Sequence, residues 1–274
     1  MQSWRLMQLE PSALRKSDDF GAQRRIAPSG DHLPSALYHL ARASDNGGAR
    51  HSNAANYRQC AVYERVANRL AELIDDVREV WVDPDEKRET LTLTVQDRSG
   101  TTYSARSLSD GTLRFLALAV LESDPETQGL LCLEEPENGI HPRRIPAMLE
   151  LLQDIAVDVT EPVTPENPLR QVIVNTHSPV VVNEIPDDSL LVAETVRGVR
   201  DGGRFPKLQL SCLPGTWRAQ DNGCAVTSRG SLLAYLSPNI RLGEREHDER
   251  SSGHRPRVMD RPDMQGLSSS MKPE

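Results

Sequence analysis

Aromatic side chains are scarce in this chain: three tryptophans, five tyrosines and three phenylalanines make up 4% of 274 residues. Hydrophobic residues of every kind reach only 37%. That is lean for a chain long enough to bury a sizeable core, so part of it is expected to lie outside any packed unit. No apolar run approaches the length of a membrane-spanning helix, and no hydrophobic signal segment opens the sequence. The expectation is a cytoplasmic protein with no membrane contact. Positive charge is in deficit, with 32 Lys and Arg against 40 Asp and Glu, a net charge of −8. This excludes a generally basic nucleic-acid surface, while a local patch stays compatible. The four cysteines, Cys60, Cys132, Cys212 and Cys224, are too scattered for a metal site or a disulfide framework. Reduced thiols are expected, and Cys132, inside an apolar run, reads as a small core residue.

What the chain does have is concentrated between Gly129 and Pro142, Gly-Leu-Leu-Cys-Leu-Glu-Glu-Pro-Glu-Asn-Gly-Ile-His-Pro. Leu130 to Leu133 fit a short strand buried on both faces. Glu134 and Glu135 follow where that strand leaves its sheet, and Pro136 with Asn138-Gly139 forces a turn. Open α/β sheets bind ligands just outside the carboxyl ends of their strands. Paired acids there suit divalent-metal binding and water activation, although a solvated acidic turn has the same composition.

Upstream, residues 1–32 are irregular, with a possible strand at Trp4 to Leu9. Leu33, Leu37 and Leu40 mark a helix, and Ser44 to Asn53 a Gly-rich loop. Val62, Val66, Leu70, Leu73 and Val77 step by four and three along a helix expected from about Ala54 to Glu79. Such a pair of helices either projects as an arm spanning 33–80 or packs on the sheet; the pattern fits both. Leu91, Leu93 and Val95 alternate with polar residues as in a half-buried strand, and Thr101 to Arg106 returns to complete a hairpin.

Ser107-Leu108-Ser109-Asp110-Gly111-Thr112 then runs straight into an almost wholly apolar helix. A small polar loop with glycine at a helix start suits an anion such as phosphate. It equally suits an ordinary cap by Ser109 or Asp110. Beyond the central strand, Ile145, Met148, Leu149, Leu152 and Ile155 form an amphipathic helix. Gln171 to Asn175 is a second buried strand, ending in Thr176-His177-Ser178-Pro179. Leu190 to Ala193 reads as a third parallel strand. Leu208 and Leu210 mark an edge strand, and Gly230 to Leu236 a short helix. The lobe spans 81–240, and residues 241–274 lack any apolar period and read as disordered.

In this order, Leu108-Ser109-Asp110-Gly111-Thr112, Leu130 to Glu135, Pro136 to Pro142 and Thr176-His177-Ser178 resemble the signature loop, Walker B strand, D-loop and switch-histidine loop of ABC-type ATPase heads. The likeness covers about residues 90–195 and is to the RecF-like and OLD-like branch, related to the SMC heads. It implies an α/β fold of the P-loop NTPase kind: a mainly parallel sheet flanked by helices, an antiparallel hairpin and a short helical arm. It implies ATP and Mg²⁺ as cofactors, Glu134 holding the metal, Glu135 polarising the attacking water and His177 contacting the γ-phosphate. Ser109, Asp110 and Gly111, with Asn138 and Gly139, would face nucleotide across an interface with a second copy or a related head. DNA is a further partner implied, in DNA repair or phage defence.

Two departures accompany the likeness. The first Walker B acid is usually Asp and here is Glu134. The loop Gly-x-x-x-x-Gly-Lys-Ser/Thr, which cradles phosphates and supplies the Mg²⁺ hydroxyl, occurs nowhere in the sequence. The expectation is a chain that is incomplete at its N-terminus and hydrolyses ATP poorly or not at all alone. A non-catalytic dimerisation or regulatory module complementing a Walker A-bearing partner is the alternative. A metal-dependent nuclease built on Glu134, Glu135, Glu137 and His141 is a third reading, and it leaves the signature and histidine loops unexplained.

Overall fold

A computed structural model describes residues 4–45, 60–164, 167–200, 203–220, 223–227 and 232. The chain divides into units 1–237 and 238–274; the expected tail lies in the second, outside the described residues, as does most of the helix expected at 230–236.

Two stretches carry the apolar pattern most strongly, and they form the centre of the fold. β6 (Gly129–Glu134) lies between β1 (Trp4–Met7) and β7 (Arg170–Asn175), with both pairings parallel. Helix α4 (Asp110–Ser123) is buried along almost its whole length, from Gly111 to Ser123. A helix apolar all round has to be an interior helix, and α4 is enclosed by α1 (Pro11–Leu14), α2 (Leu33–Asp45), α3 (Ala61–Leu73) and α5 (Ile145–Ile155). The α/β fold with a helix-flanked parallel sheet is therefore the one expected.

Helices α2 and α3 do not form a projecting arm over their described residues. Leu33, Leu37, Val66 and Leu70 are fully buried in the same core as Phe115 and Leu116. Helix α3 also ends early: Ile74 takes an extended backbone, and Val77 opens β3 (Val77–Asp85) instead of continuing a helix to Glu79. Residues 54–59 of the expected helix lie outside the described residues. Strand β3 pairs antiparallel with β4 (Thr90–Asp97), whose other neighbours are β2 (Asp18–Asp19) and β5 (Thr102–Ser104). The β4–β5 hairpin is the one expected from alternation, and Leu91, Leu93 and Val95 form its buried side.

The strand expected at Leu190 to Ala193 is not part of the parallel sheet. It begins β8 (Val192–Arg200), which pairs antiparallel with β9 (Gly203–Cys212) in a separate sheet with β10 (Ala225–Val226). Leu208 and Leu210 lie in β9, in the middle of that sheet.

The parallel sheet is covered on one face only among the described residues. Met7, Leu131 and Leu133 point into the core. On the opposite face the register aligns Trp4 with Leu130, and Leu6 with Cys132 and Ile173. Trp4, Leu6 and Ile173 are 76%, 63% and 55% exposed. Parallel sheets ordinarily bury both faces, whereas the described residues leave this one an open apolar surface.

Arg170 fastens the start of β7 to the end of α4. Its guanidinium donates to the carbonyls of Glu122, Asp124 and Thr127 at 3.0, 2.7 and 2.6 Å. It thereby satisfies acceptors that a helix end leaves open. Burial pushes its pKa down from the ordinary arginine value.

Candidate functional site

Strand β6 delivers Glu134 as its last residue, opposite Asn175 of β7, and Glu134 is exposed. The Glu135 amide donates to the Asn175 carbonyl at 2.8 Å, the final rung of the ladder. There the backbone turns sharply: Glu135 takes φ +43°, in the left-handed region. A residue with a β-carbon is held there at a cost of about 1–2 kcal/mol. The turn closes by Asn138 N–H donating to the Glu135 carbonyl at 3.1 Å and Ile140 N–H to that of Glu137 at 2.9 Å.

This elbow fixes the Glu135 carboxylate from two sides. Asn138 Nδ2 donates to Oε2 at 2.5 Å. Across the gap to β7, His177 Nε2 lies 4.0 Å from Oε1. The sequence expectation that Glu135 and His177 sit at one sheet edge requires β6 and β7 to be neighbours, and they are. The result is a fixed carboxylate facing an exposed imidazole over an open surface. Such a pair can orient a water molecule and accept its proton while the imidazole faces an anionic oxygen.

Below the elbow lies a contact that the sequence did not reveal. Glu137 is only 7% exposed, and Thr176 Oγ1 donates to its Oε1. Ser178 N–H in turn donates to Thr176 Oγ1 at 3.0 Å, so the two residues flanking His177 are held by the turn after Glu135. Ser178 caps α6 (Pro179–Glu184), accepting from Val181 N–H. The other Glu137 carboxylate oxygen is buried with no hydrogen-bond partner among the described residues.

The signature-like loop reaches the same turn from the opposite side. Ser109 is the N-cap of α4: its hydroxyl accepts from Thr112 N–H at 3.2 Å and shares a 2.7 Å hydrogen bond with the Thr112 hydroxyl. The ordinary capping role weighed for Ser109 is thus present. Asp110, at the first position of the helix, pairs with Arg15 at 2.5 Å, and Arg15 also donates to the Leu108 carbonyl at 3.0 Å. Gly111 is buried beneath Gly139, which has φ +80°. Arg114 donates to the carbonyls of Asn138 and Leu9. Of the residues singled out, Ser109, Asp110, Asn138 and Gly139 are therefore the exposed ones on this side, and Gly111 is an internal contact. The other seven candidates fall on one continuous stretch of surface, joined through the 135–140 turn, with Gly111 packed beneath it. Arg15, Arg114 and the Glu137–Thr176 pair hold it together; the two arginines lie outside every motif singled out, and Glu137 and Thr176 lie within two of them.

As to a metal, no three His, Cys, Asp or Glu side chains gather into a cage among the described residues. The four residues of the nuclease reading do not converge: Glu137 is buried against Thr176, and His141 Nδ1 accepts from Arg143 N–H at 3.3 Å. Glu134, an exposed carboxylate with no ion pair among the described residues, fits Mg²⁺ bound mainly through phosphate oxygens and water. It does not suit a resident structural metal.

Residues 31–183 match the family model described as an AAA domain, putative AbiEii toxin, type IV toxin–antitoxin system. The chain belongs to this family. It contains an AAA domain, and the matched stretch takes in the elbow, the signature-like loop and His177. No curated protein matches the chain in sequence. Among solved structures it is similar to the Smc head domain with a coiled coil and joint from Pyrococcus yayanosii, at 10% identity and a TM-score of 0.38 over 65% of this chain and 29% of that one. The Smc head with an extended coiled coil from Pyrococcus furiosus, bound to the C-terminal domain of ScpA, gives 10% and 0.36, over 56% and 35%. The Smc head bound to the C-winged helix domain of ScpA gives 10% and 0.39, over 73% and 55%. The chain thus spans about a third of the length of the first two. Likenesses this low carry no argument about the site. Among its described residues no helix is long and apolar enough to cross a membrane.

Proposed function

We propose that this AAA domain supplies the Walker B, D-loop, signature and switch-histidine side of an ATP-hydrolysing head of the ABC class, RecF- or OLD-like, and that it turns over little or no ATP alone. The observation that carries this reading is the Glu135 elbow, a carboxylate fixed between Asn138 and His177 at the carboxyl ends of two adjacent parallel strands. Glu135 would hold and deprotonate the attacking water, and His177 would face the γ-phosphate. Glu134 would contribute to Mg²⁺, whose role is to neutralise charge on the phosphates. Ser109, Asp110, Asn138 and Gly139 would face a second copy or a related head. A role in DNA repair or phage defence, with DNA as a further partner, rests on family analogy.

Inactivity alone is supported by the sequence, which has no Gly-x-x-x-x-Gly-Lys-Ser/Thr, and by the apolar face around Trp4, Leu6 and Ile173, uncovered among the described residues. The free edge of β7 adds to this, since no strand flanks it among the described residues. A polypeptide bearing a phosphate loop would find there both a strand to pair with and a face to cover. The second reading, a non-catalytic module that lends only its signature surface to a partner, draws on the exposure of Ser109 and Asp110.

The test is ATP turnover by the pure chain, then by a mixture with a Walker A-bearing head of this family whose own water-polarising Glu is replaced by Gln. The proposal expects no turnover by either alone and turnover on mixing that disappears with Glu135→Gln. If mixing activates only a partner with its own Glu intact, and Glu135→Gln changes nothing, the signature-lending reading replaces it. Substantial turnover by the pure chain, lost on Glu135→Gln, would overturn the inactivity.

A further inference from the structure

At the end of α4 opposite the signature-like loop, a cleft of about 470 Å³ opens between α2, the segment before it and the turn after α4. Val120, its first lining residue on the helix, lies about eleven residues beyond Ser109, about 16 Å at 1.5 Å per residue. It is therefore distinct from the candidate hydrolysis site. Its floor is apolar, formed by Ile26, Leu40, Val120 and Leu121.

The charges on its rim are unevenly matched. Arg25 is taken up by Glu126 at 2.5 Å. Asp124 is occupied within its own turn, accepting from Thr127 Oγ1 at 2.7 Å and Glu126 N–H at 2.9 Å. Arg24 and Arg42 remain, with no carboxylate within ion-pair distance among the described residues; Arg42 donates only to the Tyr38 hydroxyl, at 2.8 Å. His39 lines the cleft with them, and burial together with the positive charge of Arg24 and Arg42 holds its pKa below the ordinary histidine value. A chain of net charge −8 thus keeps, among the described residues, two guanidiniums without counter-ions over an apolar floor. Guanidinium forks are suited to phosphate. The volume exceeds what a bare anion fills and lies in the usual range of small-molecule sites.

We propose that this cleft binds an organic phosphate of nucleoside monophosphate size, its planar body on the Ile26–Leu40–Val120–Leu121 floor and its phosphate between Arg24 and Arg42. The site is independent of the ATP reading of the elbow.

Titration calorimetry on the full chain with AMP tests it, with adenosine and inorganic phosphate as separate probes. Saturable AMP binding is expected, with each half-molecule binding at least about tenfold more weakly and each of Arg24→Gln and Arg42→Gln weakening AMP by about tenfold or more, the size of a lost charge-assisted hydrogen bond. Both arginines are exposed, so unchanged melting temperatures serve as the folding control. Glu135→Gln and His177→Ala should leave AMP binding unchanged; if they abolish it, the nucleotide is at the elbow and the cleft proposal fails. Absence of saturable AMP binding, inorganic phosphate binding as tightly as AMP, or indifference to the arginine variants would each overturn it.

Discussion

A β-carbon on Gly111 would collide with the carbonyl oxygen of Gly139 and crowd the backbone of Ile140. The start of α4 and the turn after Glu135 are therefore packed backbone to backbone, and neither atom met is a movable side-chain end. Gly111→Ala should destabilise the fold by about 1–3 kcal/mol, as overpacking does. Gly21, around which a β-carbon meets nothing within 4 Å, is the control: Gly21→Ala should stay within about 0.5 kcal/mol of wild type. Urea midpoints of both variants measure the difference. Equal midpoints would mean the two loops are not held together as described.

The Thr176–Glu137 hydrogen bond is the second test of that assembly. Thr176→Val keeps the shape of the side chain but leaves a buried carboxylate with neither oxygen paired, a loss of about 1–3 kcal/mol or more. Removing both polar partners, in Thr176→Val with Glu137→Leu, should recover part of it. A double-mutant cycle on denaturation midpoints should return a coupling of about 0.5–3 kcal/mol, and zero coupling would refute the bond.

How much of this was legible in the sequence depended on whether the signal was local. Strand β6, helix α4, helix α5 and strand β7 could all be read because each is a run of apolar residues with its own boundaries, such as Pro136 after β6 and Pro179 after β7. Strand β3 was missed because Val77 continues the stripe of Leu70 and Leu73, and the helix ends at Ile74 with no glycine or proline to announce it. The pairing of β8 could not be seen from Leu190 to Ala193, since an apolar run does not say whether its partner lies upstream or downstream. At the site, Glu134, Glu135 and His177 were visible as residue types at strand ends. The positive φ of Glu135 and the hold of Glu137 on Thr176 were not, because one is a backbone angle and the other joins positions 39 apart. Gly111 read as a ligand-facing glycine, and its near neighbour is instead Gly139.

Arg170 offers a test of the joint between α4 and β7. Arg170→Met would remove the guanidinium from all three carbonyl acceptors, of which that of Asp124 keeps a second donor, Thr127 N–H at 3.1 Å; the loss is about 2 kcal/mol or more. Arg170→Lys should be intermediate, because one ammonium cannot reproduce the planar fork. Thermal unfolding of the pair gives the order wild type, Lys, Met. A Met variant as stable as wild type would show that these carbonyls do not need the guanidinium.

His39 makes stability depend on pH in a predictable direction. Burial first, then the charges of Arg24 and Arg42, lower its folded-state pKa. Arg25, Asp124, Glu126 and Tyr38 complete the groups around it, and they do not reverse that direction. Above the ordinary histidine value both folded and unfolded states carry the neutral ring, so His39 contributes no pH slope. As pH falls below about 6.5, the unfolded chain takes up a proton that the folded chain resists, and stability declines until the folded pKa is passed. Urea midpoints measured from pH 7.5 to 5 should therefore fall more steeply for wild type than for His39→Gln. An anion seated between Arg24 and Arg42 would offset their charge and flatten the wild-type slope, so the same titration repeated with saturating AMP should move towards the His39→Gln profile. A His39→Gln slope as steep as that of wild type would remove His39 as the cause.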